Sequence, residues 1–388
     1  MLAGIVMHKN RVIFLRSNPV NPDSRVEKEA DCLLKAGYQV KILSWDRGIK
    51  SKKFVETELS LLNGYVDIIR FGIPASYGDG VKNIWAFIQF QLFIIIWLIK
   101  NKKNYDIVHA CDFDTAFSAF ICKIFTKKIL VFDIFDFLYT NIEGSFKWFK
   151  KLIVLLQYLI INKSDGTILC SEERIEQING AIPKKMAIIH NSPPFIENLA
   201  KLDLNSDKVK ISYVGILQDY RFLMELSQVV IKDKRLELHI GGFGKYESYF
   251  TECSKNNSNI KYYGKLPYIN TLELENSCDI MVAIYDPKVG NHYFAAPNKF
   301  YEALMLGKPI IMAKGTGMAK IVENNNLGEV IDYNICSLEN GINNLLENKN
   351  NWDKVSTNMK NMYLEKYSWI KMQSRLLHFY ASISNRDD

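Results

Sequence analysis

The sequence predicts an α/β protein of two doubly wound domains with a cleft between them. Three observations predict it. The chain is 388 residues long, which suits two domains of ordinary size rather than one. Short apolar runs alternate with helix-patterned stretches twice over, from residue 11 and again from residue 209, and such alternation builds parallel sheets with helical crossovers. Between the two series Ser192-Pro193-Pro194 breaks the pattern, and a polar run continues to Lys208, as an inter-domain linker does. The expected bounds are 1–191 for the first domain, 192–208 for the linker, 209–365 for the second domain and 366–388 for a closing helix.

Residues 11–16, Arg-Val-Ile-Phe-Leu-Arg, read as a buried parallel strand, 17–25 as the loop after it and 26–35 as a helix. Ala36-Gly37-Tyr38 caps that helix, and 39–44 is a second strand. This β-loop-α-turn-β order opens a doubly wound sheet, but the glycine-rich phosphate turn usual in its loop is missing. Asn, Pro, Asp and Arg stand there instead, so Asp23 and Arg25 are expected to face an acceptor or the cleft rather than a nucleotide.

The most hydrophobic run, 84–99, holds Trp85, Phe87, Phe90, Phe93 and Trp97, is interrupted by Gln89 and Gln91, and is closed by Lys100, Lys102 and Lys103. A spanning helix needs about 20 predominantly apolar residues, and this run is shorter. It is expected to be a buried crossover helix. A second helix, 146–161, opens Phe-Lys-Trp-Phe-Lys-Lys; aromatic and basic residues at the start of an apolar helix suit a helix lying on a membrane surface.

Residues 105–114 and 128–136 are short apolar strands whose C-terminal ends carry His109, Asp112, Asp133 and Asp136. Ligands of open α/β sheets bind beyond that edge, which makes these four candidate cleft residues. Capping of the following helix accounts equally well for Asp112 and Asp114. No HxH or HxxxH spacing occurs, so no metal is expected. Strands at 164–172 and 186–191 complete the first series.

The second series has strands at 209–215, 236–244, 260–264, 279–284 and 309–312, and the tail from 351 to 380 is helical. Its distinctive stretch is Phe294-Ala-Ala-Pro-Asn-Lys-Phe-Tyr-Glu302, ending at Gly307-Lys-Pro309. Pro297 suits a helix start, because its missing N–H costs nothing there. Asn298 and Lys299 then stand where free backbone N–H groups and the helix dipole favour an anion. Glu302, one turn further in, can reach a neutral polyol beside that anion. Gly307 is a natural helix stop. An anion site with a carboxylate beside it suits a sugar nucleotide; an ordinary capped helix carries the same residues.

Bulk composition adds little. Hydrophobic content of 48% and charged content of 23% are normal for a globular protein. A net charge of +7 fits anionic substrates, an anionic membrane surface or plain solubility. Nucleic acid is not an expected partner, because the Lys and Arg residues are spread along the chain. The seven cysteines include no CxxC pair and sit mostly in apolar runs, as reduced core thiols of a cytosolic protein do. The opening Met-Leu-Ala-Gly-Ile-Val-Met is too short an apolar run for a signal peptide, and no targeting signal is expected.

With these residues in view, the chain resembles the GT-B-fold glycosyltransferases, most nearly the family-4 retaining enzymes, over almost its whole length. The resemblance is carried by Asp23-Ser-Arg25, Asp106-Ile-Val-His109, Asp133-Ile-Phe-Asp136, Cys170-Ser-Glu172, Asn191-Ser-Pro193, Tyr213-Val-Gly215 and Gly241-Gly-Phe-Gly244. Above all it is carried by Pro297-Asn-Lys-Phe-Tyr-Glu302 with Gly307-Lys-Pro309. Tyr367-Ser-Trp369 resembles the point where such chains send a final helix back to the first domain. The resemblance implies two Rossmann-like domains facing each other across a cleft.

It also implies roles. Glu302 matches the second glutamate of the family's Glu–seven residues–Glu motif, expected at the ribose hydroxyls, while the first glutamate's position holds Phe294. The family's Arg after the first glycine of the second domain is Ile216 here, and its Lys five residues later is Arg221. Lys299 is expected to replace the missing diphosphate cation. A second family histidine, two residues after His109, is Cys111, followed by Asp112. Gly264-Lys265-Leu266 matches the turn whose backbone meets the nucleobase. The implied donor site is therefore Gly215, Arg221, Gly242, Gly264, Lys265, Leu266, Phe294, Ala295, Ala296, Asn298, Lys299 and Glu302. The implied catalytic set is Arg221, Lys299, His109 and Asp112, with Asp23, Arg25, Asp133 and Asp136 on the acceptor side.

The implied reaction moves a sugar from a nucleotide-diphosphate sugar to a saccharide acceptor with retention of configuration, without metal or cofactor. The aromatic, basic helices point to a polyprenyl-linked acceptor at the cytoplasmic face of a membrane, as in surface-polysaccharide assembly. Two readings compete: a non-catalytic GT-B subunit that binds a partner or glycan, kept open by Phe294, Ile216 and Cys111, and a sugar-nucleotide epimerase of the same architecture.

Overall fold

The structure, a computed structural model, describes residues 10–49, 54–75, 83–138 and 147–384. The opening apolar run and Phe146 lie outside the described residues. The chain forms two compact units, Met1–Ile189 with Gln373–Asp388, and His190–Met372.

The first unit runs β1 (Arg11–Arg16), α1 (Ser24–Lys35), β2 (Gln39–Asp46), β3 (Phe54–Leu61), β4 (Gly64–Gly72), α2 (Ile84–Lys100), β5 (Ile107–Cys111) and α3 (Asp112–Thr126). It continues through β6 (Ile129–Ile134), α4 (Lys147–Lys163), β7 (Gly166–Leu169) and β8 (Met186–Ile188). Its sheet has the order β3-β4-β2-β1-β5-β6-β7-β8. All pairs are parallel except β3 with β4. The central strands are buried on both faces, β5 along its whole length, which is why they read as unbroken apolar runs rather than alternating ones. Helices α2, α3 and α4 cover one face, packing Phe90, Leu98, Ala116 and Ile160 onto Ile13, Leu15, Leu43 and Phe132.

The β3–β4 hairpin was not anticipated. Its turn carries Asn63-Gly64, a common hairpin signal, and Asp31 of α1 fixes it by accepting the Asn63 backbone N–H at 2.7 Å and its amide at 2.6 Å. Helix α1 starts two residues earlier than expected because Asp23 is its N-cap, accepting from the Val26 N–H. Glu27 reaches back to the Asp23 N–H at 2.7 Å, so two orphan donors are satisfied at once.

The second unit runs β9 (Val209–Ile216), α5 (Leu223–Lys232), β10 (Leu236–Phe243), α6 (Glu247–Asn256), β11 (Ile260–Tyr262), α7 (Tyr268–Ser277) and β12 (Ile280–Ala283). After these come α8 (Asn298–Leu306), β13 (Ile310–Ala313), α9 (Ala319–Asn324), β14 (Gly328–Ile331), α10 (Ile335–Glu347) and α11 (Trp352–Met362). Its strands are parallel in the order β11-β10-β9-β12-β13-β14. That is the doubly wound order whose direction of winding reverses between the first strand, β9, and the fourth, β12. A π-turn at Tyr363–Tyr367 and extended Ser368 precede the last helix, α12 (Trp369–Ser384). The helical tail is thus broken at the Tyr367-Ser-Trp369 position.

All seven cysteines are free, and all but Cys336 are buried. Among the described residues no helix is long and apolar enough to cross a membrane.

Candidate functional site

In the second unit the strand order reverses between β9 and β12, the position at which open α/β sheets bind ligands beyond the carboxyl ends of their strands. Glycines shape its floor. A Cβ on Gly242 would stand 1.7 Å from the Gly215 carbonyl oxygen, so β9 and β10 approach this closely only with glycine there. The Gly242 N–H donates to the Gly264 carbonyl at 2.7 Å, which draws the turn of Gly264, Lys265 and Leu266 to the same place. The Lys265 ammonium lies 5.2 Å from the centre of the Phe243 ring.

Helix α8 brings in the charge. Pro297 is its N-cap and Gly307, in the left-handed conformation, its stop, with the Lys308 N–H returning to the Ala303 carbonyl at 3.0 Å. Asn298 at the helix start is exposed. Lys299 instead turns inward and is only 9% exposed. Its Nζ lies 4.5 Å over the Tyr213 ring, and a Cβ on Gly215 would stand 2.6 Å from it. The ammonium therefore sits beside the residue preceding Ile216, where the resemblance leaves an arginine missing. Burial opposes its charge, but Tyr213, Tyr285, Glu302 and Glu275 outweigh that and hold the lysine above its ordinary pKa.

Arg221 arrives from the loop after β9. Its guanidinium lies 3.9 Å over the Tyr285 ring, and Nη1 is 3.0 Å from Nε2 of His292. The Nδ1 of His292 lies 2.8 Å from the Asp286 carbonyl oxygen, which can only accept. That contact puts the proton on Nδ1 and leaves Nε2 to accept from Arg221. His292 opens towards Phe294 through a single 3-10 turn, Gly290–Phe294. Phe294 is half-buried and packs edge-on to Tyr293 at 4.8 Å. Gly317 lies so close that its Cβ would meet the Ala295 carbonyl oxygen at 2.5 Å, and Asn191 donates to the Ala296 carbonyl at 3.0 Å.

Glu302 is buried one turn into α8 and accepts from the Tyr268 hydroxyl at 3.1 Å. Behind it Glu275 is fully buried, and neither of its carboxyl oxygens has a hydrogen-bond partner. Burial, reinforced by Glu302, pushes Glu275 well above the usual carboxyl range. The set thus collects two cations around Tyr285, a carboxylate one helix turn away and a tight backbone floor. It can hold an anion with a polyol beside it. Tyr285, His292, Tyr268 and Glu275 escaped the sequence reading. Only position marks Tyr285, as the second residue after the apolar run of β12.

The strand ends of the first unit are arranged differently. Its order reverses between β1 and β5, and there Arg16 bridges the gap, 2.7 Å from Asp23 and 2.5 Å from Asp112. Asp112 also accepts the Phe135 and Asp136 N–H groups at 2.9 and 3.1 Å. Burial pushes its carboxyl up to about 6 against the pull of Arg16. Arg25 is bidentate on Asp133, at 3.1 and 2.8 Å, and donates to the Ile189 carbonyl at 2.6 Å. His109 has both ring nitrogens engaged, Nδ1 with the Tyr380 hydroxyl at 2.6 Å and Nε2 with Asp133 at 3.3 Å.

The structure corrects three of the expected positions. His109 and Asp133 are fully buried and Arg25 nearly so; they bond to one another and reach no surface. Asp23 serves as helix cap and partner of Arg16. Asp112 and Asp136 remain the accessible members, Asp136 carrying an ion pair to Arg174 at 2.7 Å. His109, Cys111 and Asp133 lie within 4.8 Å of one another and have the ligand types of a metal site. Their chemistry argues otherwise, since His109 and Asp133 are already paired and burial keeps the Cys111 thiol protonated.

Residues 195–362, nearly the whole second unit, match the family described as Glycosyl transferases group 1. A comparison with curated proteins finds no match. Among solved structures, a sucrose-phosphate synthase from Thermosynechococcus elongatus is 13% identical, with 97% of this chain and 99% of that chain aligned at a TM-score of 0.76. Anabaena HepE in complex with UDP is 14% identical, covering 96% and 100% at 0.68. An Escherichia coli trehalose-6-phosphate protein bound with UDP-2-fluoro glucose is 10% identical, covering 97% and 99% at 0.70. At such identities the likeness is one of fold, and the fold is GT-B. The chain thus has two Rossmann-like units in a GT-B fold, and its second unit is similar to the group 1 glycosyltransferases.

Proposed function

We propose that the chain moves a sugar from a nucleotide-diphosphate sugar to a saccharide acceptor with retention of anomeric configuration. The observation that carries this is the placing of Lys299 and Arg221 about Tyr285 at the point where the strand order of the second unit reverses. The diphosphate sits against these two cations and the free N–H groups at the start of α8. Glu302, steered by Tyr268, takes the ribose hydroxyls, and the turn at Gly264, Lys265 and Leu266 meets the base. Solved neighbours with UDP and UDP-glucose bound support a uridine nucleotide. Phe294 replaces the carboxylate expected at the hexose, which favours a sugar with a less polar rim at that position.

The bond from the sugar's anomeric carbon to the diphosphate oxygen breaks as charge grows on the leaving group. Preorganised cations in a dry site are worth several kcal/mol at that moment. The acceptor hydroxyl forms its bond on the same face, and its proton passes to the departing phosphate oxygen. No protein nucleophile is required, and Lys299 and Arg221 take the place a metal would fill. Asp112 and Asp136 are the accessible carboxylates left for the acceptor side. The acceptor is a lipid-linked saccharide of surface-glycan assembly and the protein works at the cytoplasmic face of a membrane, a reading supported by apolar helix faces exposed in the first unit.

Incubating the protein with UDP-, GDP- and ADP-sugars and a lipid-linked saccharide fraction, then reading the product's anomeric signals by NMR, tests the proposal. One donor class should be consumed, with configuration retained and no loss of rate in EDTA. Donor binding without turnover across the panel would favour a non-catalytic subunit.

A further inference from the structure

The outer face of the first unit carries apolar residues where a solvated surface is usual. On α2 the exposed large side chains are Ile84, Trp85, Ile88, Leu92, Ile96 and Ile99, and on α4 Trp148, Phe149, Leu152, Leu155 and Leu159. Their spacing of three and four residues makes one stripe along each helix, opposite the residues that fill the core. Helix α3 packs between them, with Ser118 donating to Gln91 of α2 at 2.5 Å. It adds Phe117, Ile124 and Phe125 to the same exposed set. Trp85 and Trp148, each about two-thirds exposed at the start of its helix, belong to no core. A continuous apolar face of this extent marks an interaction surface.

Charge says what covers it. Helices α2 and α4 contain no acidic residue, and α3 has none beyond its first turn. Apart from Asp112 and Asp114 their charged residues are lysines, and these lie mainly in the first or last turns of the helices and just beyond them. At the C-terminal ends of α3 and α4 they surround a pocket of about 460 Å³. Lys123, Lys127, Lys163 and Lys184 stand around a floor of Phe120 and Ile124. The one acid there, Asp165, bonds to Lys123, lies 3.6 Å from Lys184 and accepts the Leu130 N–H at 2.8 Å. It ties two of the lysines in place while the pocket keeps an excess of positive charge.

We infer that the outer faces of α2, α3 and α4 lie on an anionic lipid bilayer, with the lysine-walled pocket closing on a lipid phosphate. This deepens the membrane reading given above but does not depend on the donor chemistry. Helices lying in the interface plane bury an apolar stripe at the acyl boundary and keep tryptophan and lysine at headgroup depth. The pocket joins the two requirements, since a phosphate meets its walls while its apolar floor and the neighbouring Ile124 and Phe125 continue into the acyl region. A second copy of the chain would present the same lysines to an identical face whose one pocket carboxylate, Asp165, is already paired with Lys123.

Flotation of the full chain with vesicles of phosphatidylcholine, with and without phosphatidylglycerol, tests the inference. The wild type should float with the anionic vesicles at least tenfold more than with the neutral ones, and brominated acyl chains should quench its tryptophan fluorescence. Lys163→Glu with Lys184→Glu should abolish the preference for anionic lipid, and Leu92→Asn with Ile96→Asn should abolish flotation. Circular dichroism and thermal unfolding of each variant, measured without lipid, report that it is folded and keep this test separate from the donor proposal. Equal flotation with both vesicle types, or none with either, overturns the inference. So does a concentration-dependent dimer that Leu92→Asn with Ile96→Asn dissolves and vesicles leave intact.

Discussion

The Nη1 of Arg221 lies 3.0 Å from Nε2 of His292, and the other ring nitrogen of that histidine faces the Asp286 carbonyl at 2.8 Å. A neutral histidine, with its tautomer set by a backbone oxygen, thus holds a guanidinium that also stacks on Tyr285. His292 acts through Arg221 and is a positioning residue. His292→Ala should lower kcat/KM for the donor about tenfold, the scale of one hydrogen bond to a charged group. His292→Gln, which can still accept, should recover part of the loss. Steady-state kinetics on both variants check this, and an equal fall in kcat/KM for both would assign the residue a different role.

The buried network of the first unit predicts an acid response. Burial resists the charge on Asp133, but Arg25 and His109 outweigh it and hold the carboxyl down at about 2, from an ordinary 3.8. The folded state then binds fewer protons than the unfolded one between those values. The stabilisation is complete above about pH 4 and is lost as the pH falls towards 2. Glu29 also stands 3.2 Å from Arg25, but burial and the Asp133 charge push its carboxyl up, so Asp133 is the main counter-charge. Asp133→Asn should therefore cost about 3–5 kcal/mol at neutral pH, the cost of stranding a buried charge. Denaturant unfolding at pH 7 and pH 3 measures both effects, with the variant less sensitive to acid than the wild type.

Lys308 predicts a slope of the same sign at alkaline pH in the second unit. Burial, helped by Lys201, lowers its amine from 10.5 to about 8. Between those values the unfolded chain binds more protons, so this residue's contribution to stability rises with pH from about 8 to 10.5. At pH 7 the charged amine costs the fold about 3 kcal/mol. Lys308→Gln should be more stable than the wild type at pH 7, and the gap should narrow as the pH approaches 10. Paired thermal melts across that range test it.

Much of this architecture was legible in the sequence because parallel strands are buried on both faces and read as apolar runs. The β1 and β5 runs are clear cases. The β3–β4 hairpin was harder, because β3 lies at a sheet edge and carries Glu56, Thr57 and Glu58 instead of an apolar run. In the second unit the helix start after Pro297, on which the proposed anion site rests, was legible, since capping and dipole effects are local. The contacts of Lys299 were not, because its inward turn depends on space left by Gly215, more than 80 residues away in sequence. His109 and Asp133 misled for a related reason. A polar residue at a strand end looks alike in sequence whether it faces solvent or a buried arginine.

The central claim is that Lys299 and Arg221 hold a nucleotide diphosphate at the start of α8. Calorimetric titration of UDP, GDP and ADP into the full chain, its Lys299→Ala variant and its Arg221→Ala variant tests it most directly. One nucleoside diphosphate should bind the wild type saturably, and each substitution should raise its Kd about tenfold or more, as expected for losing one charge-assisted contact. Equal affinity in all three proteins, or no binding of any nucleotide by the wild type, would contradict the account.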